Sequence, residues 1–389
     1  MEQIEISVVI PVYKGKRYLS YLLSILFDNF SSDSYVQNEV IFVNDCSDEI
    51  LEVEAYWKNR MNIQIANLPE NRGIHNARIT GLSMARGNYI LFLDQDDQIK
   101  ENYIISQRMN IGDGDAVLCN GYIVRHCVDG KKIIYSNIIS QKKATVLAEL
   151  IHQGNCIISP GQVLIKKSSI PDLWTKAAMT QNGADDYLLW LLMLSEGKKI
   201  NINADKLYTH IGHGSNSSQN VIEMQESLKE VIYLLKDNHV LQQSQLAIMK
   251  NRVDNLLERN KFLGMIAIYD QWMYLRLRNQ KIAEYLLKQE IKKIAVYGMS
   301  YIGNRLYDEL KNSGINIVFG IDKDADKILY EIPVLKPDDT QLRKYIQEVD
   351  MIVVTAVAFY QEIKKELERS YQIKIVSMND ILMDMIRCN

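Results

Sequence analysis

The sequence lacks any apolar stretch long enough to cross a bilayer. Its most apolar run, Tyr187 to Ser195, is nine residues set between Asp185-Asp186 and Glu196-Gly-Lys-Lys, against the roughly 20 that a spanning helix needs. A basic excess is also missing. The formal net charge is −3 over 389 residues, which argues against a nucleic-acid partner, because such binding calls for cationic surface gathered on one face. Cysteine is sparse and unpatterned: Cys46, Cys119, Cys127, Cys156 and Cys388 show no CxxC spacing, and an odd number cannot all pair within one chain. Reduced thiols, as in a cytoplasm, are expected. No basic, apolar and small-residue leader precedes the strand-like Ile6 to Val12, so no secretion signal is expected.

What is present suits an ordinary globular chain, with 47% hydrophobic and 24% charged residues. At about 150 residues per domain, the length predicts two or three domains. From the start, apolar runs alternate with helical stretches: Ile6 to Val12, Lys16 to Asp28, Val40 to Val43, a helix over Ser47 to Arg60, then Ile63 to Ala66. Such alternation predicts βαβ units on a parallel sheet. A further helix, Ile74 to Arg86, leads into Tyr89-Ile-Leu-Phe-Leu, whose unbroken apolarity suits a strand covered on both faces. An α+β continuation follows, with a strong helix at Asp185 to Ser195 and a short strand at Lys199 to Asn203. Near Gly212-His-Gly-Ser-Asn the pattern breaks, giving domains at 1–218, 219–290 and 291–389.

The middle domain has few glycines or prolines and helical spacing, and is expected to be a helical connector. Its Trp272-Met-Tyr-Leu-Arg-Leu-Arg mixes aromatic and basic residues, which suits a helix packed on a neighbour or on a second copy in a homo-oligomer. It also suits peripheral contact with an anionic membrane. The third domain opens with strand Ile294 to Tyr297 and Gly298-Met-Ser-Tyr-Ile-Gly303, a small Rossmann-like α/β pattern ending its second strand at Asp322. Ser300 stands where the middle glycine of a dinucleotide loop lets backbone approach a pyrophosphate. A structural, oligomerisation or acceptor-docking role is therefore expected ahead of dinucleotide binding.

Two acidic groups carry the chemistry. Asp94, Asp96 and Asp97 follow a strand and put several hard oxygen ligands at one sheet edge, as Mg²⁺ or Mn²⁺ requires when it keeps phosphate oxygens as partners. Asp185 and Asp186 open a helix, where the dipole stabilises carboxylates in any role, a plain helix cap included.

Val8-Val-Ile-Pro-Val-Tyr13, Val43-Asn-Asp-Cys-Ser47, Asn71-Arg-Gly73, Ala77-Arg78, Gly87-Asn-Tyr-Ile-Leu-Phe-Leu-Asp-Gln-Asp-Asp97 and Ala184-Asp-Asp186 together resemble the ordered signatures of family-2 glycosyltransferases of the GT-A fold, over roughly residues 5 to 217. The resemblance implies an inverting, Mn²⁺- or Mg²⁺-dependent enzyme that moves a sugar from a nucleotide-sugar donor to a glycan, glycolipid or glycoprotein acceptor in polysaccharide or glycoconjugate assembly. It places the chain in the cytoplasm or at the inner face of the membrane. Pro11, Tyr13 and Asp45 are implied to hold the donor base, with Asp45 accepting from a uracil N–H. Arg78 and Asp94 are implied to serve the rest of the donor, Asp96 and His213 the metal, and Asp186 the acceptor hydroxyl as catalytic base; Asp97 assists either. Ile79 stands where many relatives have asparagine, and Asp185 where they usually have glutamate. Two rivals stand beside this reading: a catalytically silent donor sensor or scaffold, and a nucleotidyltransferase.

Overall fold

The computed structural model describes residues 4–32, 37–45, 49–125, 130–212, 221–327 and 330–387. The chain divides into two compact units, Met1–Leu256 and Leu257–Asn389.

In the first unit the described residues form a nine-stranded sheet. Its strands are β1 (Ile4–Val12), β2 (Gln37–Asn44), β3 (Asn62–Asn67), β4 (Tyr89–Phe92), β5 (Gln98–Ile99), β6 (Ala116–Arg125), β7 (Lys131–Ile133), β8 (Val163–Lys166) and β9 (Ile200–Gly212). They run in the order β3-β2-β1-β4-β8-β6-β9-β5, with β7 hydrogen-bonded to β6. β3, β2, β1 and β4 are mutually parallel, while β8 is antiparallel to β4 and β6. This is the mixed, mainly parallel α/β sheet expected of the first domain.

The unbroken apolar runs arise because both faces are covered. Val8, Ile10, Val40 and Phe42 point to one side, where the helix Leu19–Ser31 adds Leu19, Leu22, Leu23 and Leu26 at helical spacing. Val9, Ile41 and Val43 point to the other, against Ala77 and Leu82 of the helix Ile74–Met84 and the apolar helix Asp185–Ser195. Gly81 permits the first of those contacts, since a Cβ there would lie 2.3 Å from the Val9 side chain. Trp174 and Trp190 are both wholly buried on this side, so neither faces a ligand.

Between Val221 and Lys288 the chain forms four helices, which supply both units. Helices Val221–Asp237 and Gln243–Asp254 place Leu228, Val231, Leu235, Leu246, Met249 and Val253 in the core of the first unit. Helices Leu256–Leu277 and Ile282–Lys288 place Ile268, Trp272, Leu275, Ile282 and Leu286 in a core of the second. Trp272 is thus buried, donating its indole N–H to Glu309 at 2.8 Å.

The second unit is a five-stranded parallel sheet ordered β12-β11-β10-β13-β14, from β10 (Lys293–Tyr297), β11 (Asn316–Ile321), β12 (Val334–Leu335), β13 (Met351–Val354) and β14 (Lys374–Ser377). Strand order reverses between β10 and β13, the arrangement of a Rossmann-like domain. No helix among the described residues is long and apolar enough to cross a membrane.

Candidate active site

The sequence-marked residues gather at the carboxyl edge of the first sheet. Pro11 lies within β1, buried and in register with Val43, while Tyr13 beyond the strand end is 47% exposed. The backbone of Tyr13 is held by a residue of the acidic motif that carries no expected role: its N–H donates to Gln95 Oε1 and its carbonyl accepts from Gln95 Nε2, both at 3.1 Å. Asp45 follows β2 and is buried; its N–H donates to the Val12 carbonyl at 2.8 Å. Its two carboxylate oxygens accept from the backbone N–H groups of Arg72 and Gly73 at 2.7 and 2.8 Å. Gly73 makes this possible at φ +87°, a conformation that glycine adopts without strain. Each oxygen keeps a lone pair for a further donor. Burial raises the Asp45 carboxyl above its ordinary range against the pull of those two N–H groups and of Arg72.

Beyond β4 the acidic cluster splits into three different environments. Asp94 accepts from Arg78 Nη2 at 2.5 Å and from Ser159 Oγ at 3.2 Å. Arg78, only 4% exposed, donates from its other terminal nitrogen to Asp185 Oδ2 at 2.6 Å. A buried guanidinium therefore ties the acidic cluster to the start of the helix Asp185–Ser195, using the fork geometry that lysine cannot reproduce. Asp97 is 1% exposed and fully engaged with β9: it accepts from the Tyr208 hydroxyl and from the Ile211 N–H at 3.1 Å, and lies 3.0 Å from His210 Nδ1. Asp97 thus serves to fasten a strand.

Asp96 is the remaining member of the cluster. Burial, then the charges of Asp97 and Asp94, push its carboxyl up to about 6. Crowded carboxylates of this kind favour either a proton or a cation. Among the described residues no group of three or more His, Cys, Asp or Glu side chains forms a ready cation cage. The donor set still fits Mg²⁺ or Mn²⁺, because these ions take one or two carboxylates and fill the remaining positions with phosphate oxygens and water. His213 lies outside the described residues. His210, which the sequence favours less than His213, lies beside the cluster: burial alone would lower its imidazole, and Asp97, Asp94 and Asp96 more than offset that, raising it.

Asp186 sits at the opposite end of the Arg78 link. The N-cap of its helix is Ala184, which has no polar side chain to cap it, and Asp186 itself satisfies one first-turn N–H. Asp186 Oδ2 accepts from Asn155 Nδ2 at 2.9 Å and Oδ1 from the Tyr187 N–H at 2.7 Å. Burial, then the negative charge of Asp185, raises its carboxyl to about 7. Near neutrality such a group takes and releases protons readily. His75 has no part in this cluster: it is buried, accepts from the Met179 N–H at 3.0 Å and packs on Trp174 with ring centroids 4.5 Å apart.

A parallel sheet whose carboxyl edge carries an acidic, cation-suited cluster is the layout of a nucleotide-binding α/β domain. Residues 7–174 match the family model for glycosyl transferase family 2. The poly(ribitol-phosphate) beta-N-acetylglucosaminyltransferase TarS of Staphylococcus aureus is 33% identical over 98 residues, 24% of this chain and 17% of that protein. EpsH of Bacillus subtilis, a putative glycosyltransferase by its own description, is 34% identical over 125 residues, 31% of this chain and 34% of that one. The chain spans under a fifth of the length of TarS and of the glycosyltransferase GlyA of Streptococcus pneumoniae. A crystal structure of S. aureus TarS residues 1–349 with UDP aligns at 19% identity over 64% of this chain and 71% of that one, with a TM-score of 0.46.

Proposed function

We propose that the first unit transfers a sugar from a nucleotide-sugar donor, a UDP-sugar first among them, to a hydroxyl of a glycan, glycolipid or glycoprotein acceptor in polysaccharide assembly, with inversion at the anomeric carbon. The observation that carries this reading is the Asp94–Arg78–Asp185 link, which ties the acidic cluster to the backbone segment bearing Asp186.

In this reading Asp45 offers its remaining lone pairs to the base of the nucleotide, with Tyr13 beside it, and Asp96 holds the divalent cation together with the donor diphosphate. The bound cation supplies charge neutralisation for the departing nucleoside diphosphate. Asp94, anchored by Arg78 and Ser159, faces the ribose or sugar. Asp186 accepts the proton of the attacking hydroxyl, and its carboxyl near 7 matches that task at neutral pH. Asn155 and the Tyr187 N–H hold the carboxylate in one orientation.

The similarity to TarS, a named N-acetylglucosaminyltransferase, supports a UDP-N-acetylhexosamine as the first donor to test. Nucleotide release and sugar hydrolysis measured across UDP-, GDP- and dTDP-sugars, with and without Mn²⁺, test the proposal. Mn²⁺-dependent turnover of a UDP-sugar is expected; turnover of no nucleotide sugar under any metal condition contradicts it.

A further inference from the structure

The second unit contains a cavity of about 130 Å³ at the carboxyl edge of its sheet, where strand order reverses. In open α/β sheets ligands bind at this switch point. The floor comes from Gly298, Ser300 and Ile302 after β10, one wall from Thr355 to Phe359 after β13, and the other wall from Lys261, Gly264 and Met265 of the helix Leu256–Leu277.

The loop's two glycines are accounted for by the fold itself. Gly298 turns at φ +96°, where a Cβ would lie 2.8 Å from Thr355 Oγ1, and a Cβ on Gly303 would lie 2.1 Å from the Gly298 carbonyl. Thr355 Oγ1 donates to the carbonyls of Tyr297 and Gly298 at 3.1 and 2.5 Å, closing the loop onto β13. Asp322, the acid that would meet a dinucleotide's ribose, accepts from the N–H groups of Met299 and Asp324 at 2.7 and 2.9 Å and does not line the cavity. The opening therefore lies on the β13 side of the switch point, away from the subsite that a dinucleotide's first ribose needs.

Three features of the cavity define its ligand. Its volume suits one ring, since an apolar cavity of roughly 150 Å³ holds a benzene molecule. Met265, Ile302, Val357 and Phe359 make its lining apolar, and Tyr301 adds a second aromatic face at its edge. Among the lining residues there is one cation, Lys261, and no carboxylate. The first turn of the ten-residue helix Tyr301–Leu310 also starts there, with no side chain capping it. A hydrocarbon chain would leave this positive rim without a partner, and a dinucleotide would need backbone approach at Ser300.

We propose that the cavity binds a mononucleotide, its base held among the apolar side chains and its phosphate facing Lys261. This inference does not depend on the sugar-transfer reading of the first unit.

Cytidine 5′-monophosphate, whose base is a single ring, is the probe, titrated into the full chain in EDTA by calorimetry and saturation-transfer NMR. Binding of one equivalent is expected without metal, at least threefold tighter than cytidine. Gly264→Phe fills the cavity from a helix position where an added Cβ meets nothing within 4 Å, and should weaken binding at least tenfold. Lys261→Glu should weaken it at least threefold, whereas Asp45→Asn in the first unit should leave it unchanged. Absence of metal-free binding, equal affinity in Gly264→Phe and Lys261→Glu, or loss of binding in Asp45→Asn would each overturn the proposal.

Discussion

Arg78 shows most clearly how one residue can be required by both stability and chemistry. Its guanidinium is buried between Asp94 and Asp185, and truncating one member of such a set strands the remaining charges in a poorly hydrated place. Arg78→Met should therefore cost about 3–5 kcal/mol in denaturant unfolding; a loss below about 1 kcal/mol would show that the two carboxylates are solvated or protonated without it. Sequence reading placed Arg78 at the donor, and the structure shows its terminal nitrogens directed at two aspartates instead of leaving them open. No motif could reveal this, because the partners are 16 and 107 residues away. At Asp186 the prediction concerns pH. A base titrating near 7 is protonated below that value, so kcat/KM should fall about tenfold per pH unit on the acid side. The Asn155 amide favours the ionised form. Asn155→Ala should move the acid limb to higher pH, and a limb that stays in place or moves down would remove Asp186 or its Asn155 contact from the rate-determining protonation.

Among the elements, β1, β2 and β4 were readable because doubly covered strands are written as unbroken apolar runs. β9 was not. Its first residues were legible as a short strand at Lys199 to Asn203, but Ala204-Asp-Lys interrupts the apolar pattern, and the strand in fact continues to Gly212. It continues because β6 pairs with it through register shifts around Asn120, and because Gln98-Ile99 pairs with Thr209 and Tyr208. That long strand delivers Tyr208 and His210 to Asp97. Tyr208→Phe should cost about 1–3 kcal/mol by leaving a buried carboxylate short of a donor, and should also weaken metal-dependent UDP binding by loosening the strand beside Asp96. Unchanged UDP affinity would confine Asp97 and Tyr208 to a packing role. Of the helix expected over Ser47 to Arg60, the described residues from Glu49 onward form only Ala55–Lys58. Asn67 and Asn44 compete for the segment before it: Leu51 N–H donates to Asn67 Oδ1 and the Glu49 carbonyl accepts from Asn44 Nδ2. Such side-chain to backbone bonds leave no trace in hydrophobic periodicity.

For the whole molecule, alternating strand and helix signals were enough to place two α/β domains in order. Periodicity also led to the expectation of a helical stretch over 219–290, yet it could not say which core each helix would join, since an apolar stripe does not name its partner. The division into units has a measurable consequence. UDP with Mn²⁺ should stabilise the first unit by about 2.7 kcal/mol at a hundredfold excess over Kd, with hydrogen-exchange protection confined to residues before Leu257. Asp96→Ala should abolish that protection, and retained metal-dependent protection in this variant would remove Asp96 from the cation site. The central claim is that the Arg78-linked edge joins a donor site to a base, and Asp186→Asn in the intact chain tests it most directly. Asparagine keeps the size and one of the two accepted hydrogen bonds but cannot take the proton. Sugar transfer and UDP affinity in Mn²⁺ are measured on one preparation. The account predicts a fall in turnover of at least about 10²-fold with UDP affinity nearly unchanged; transfer near the wild-type rate, or a parallel collapse of UDP affinity, would contradict it.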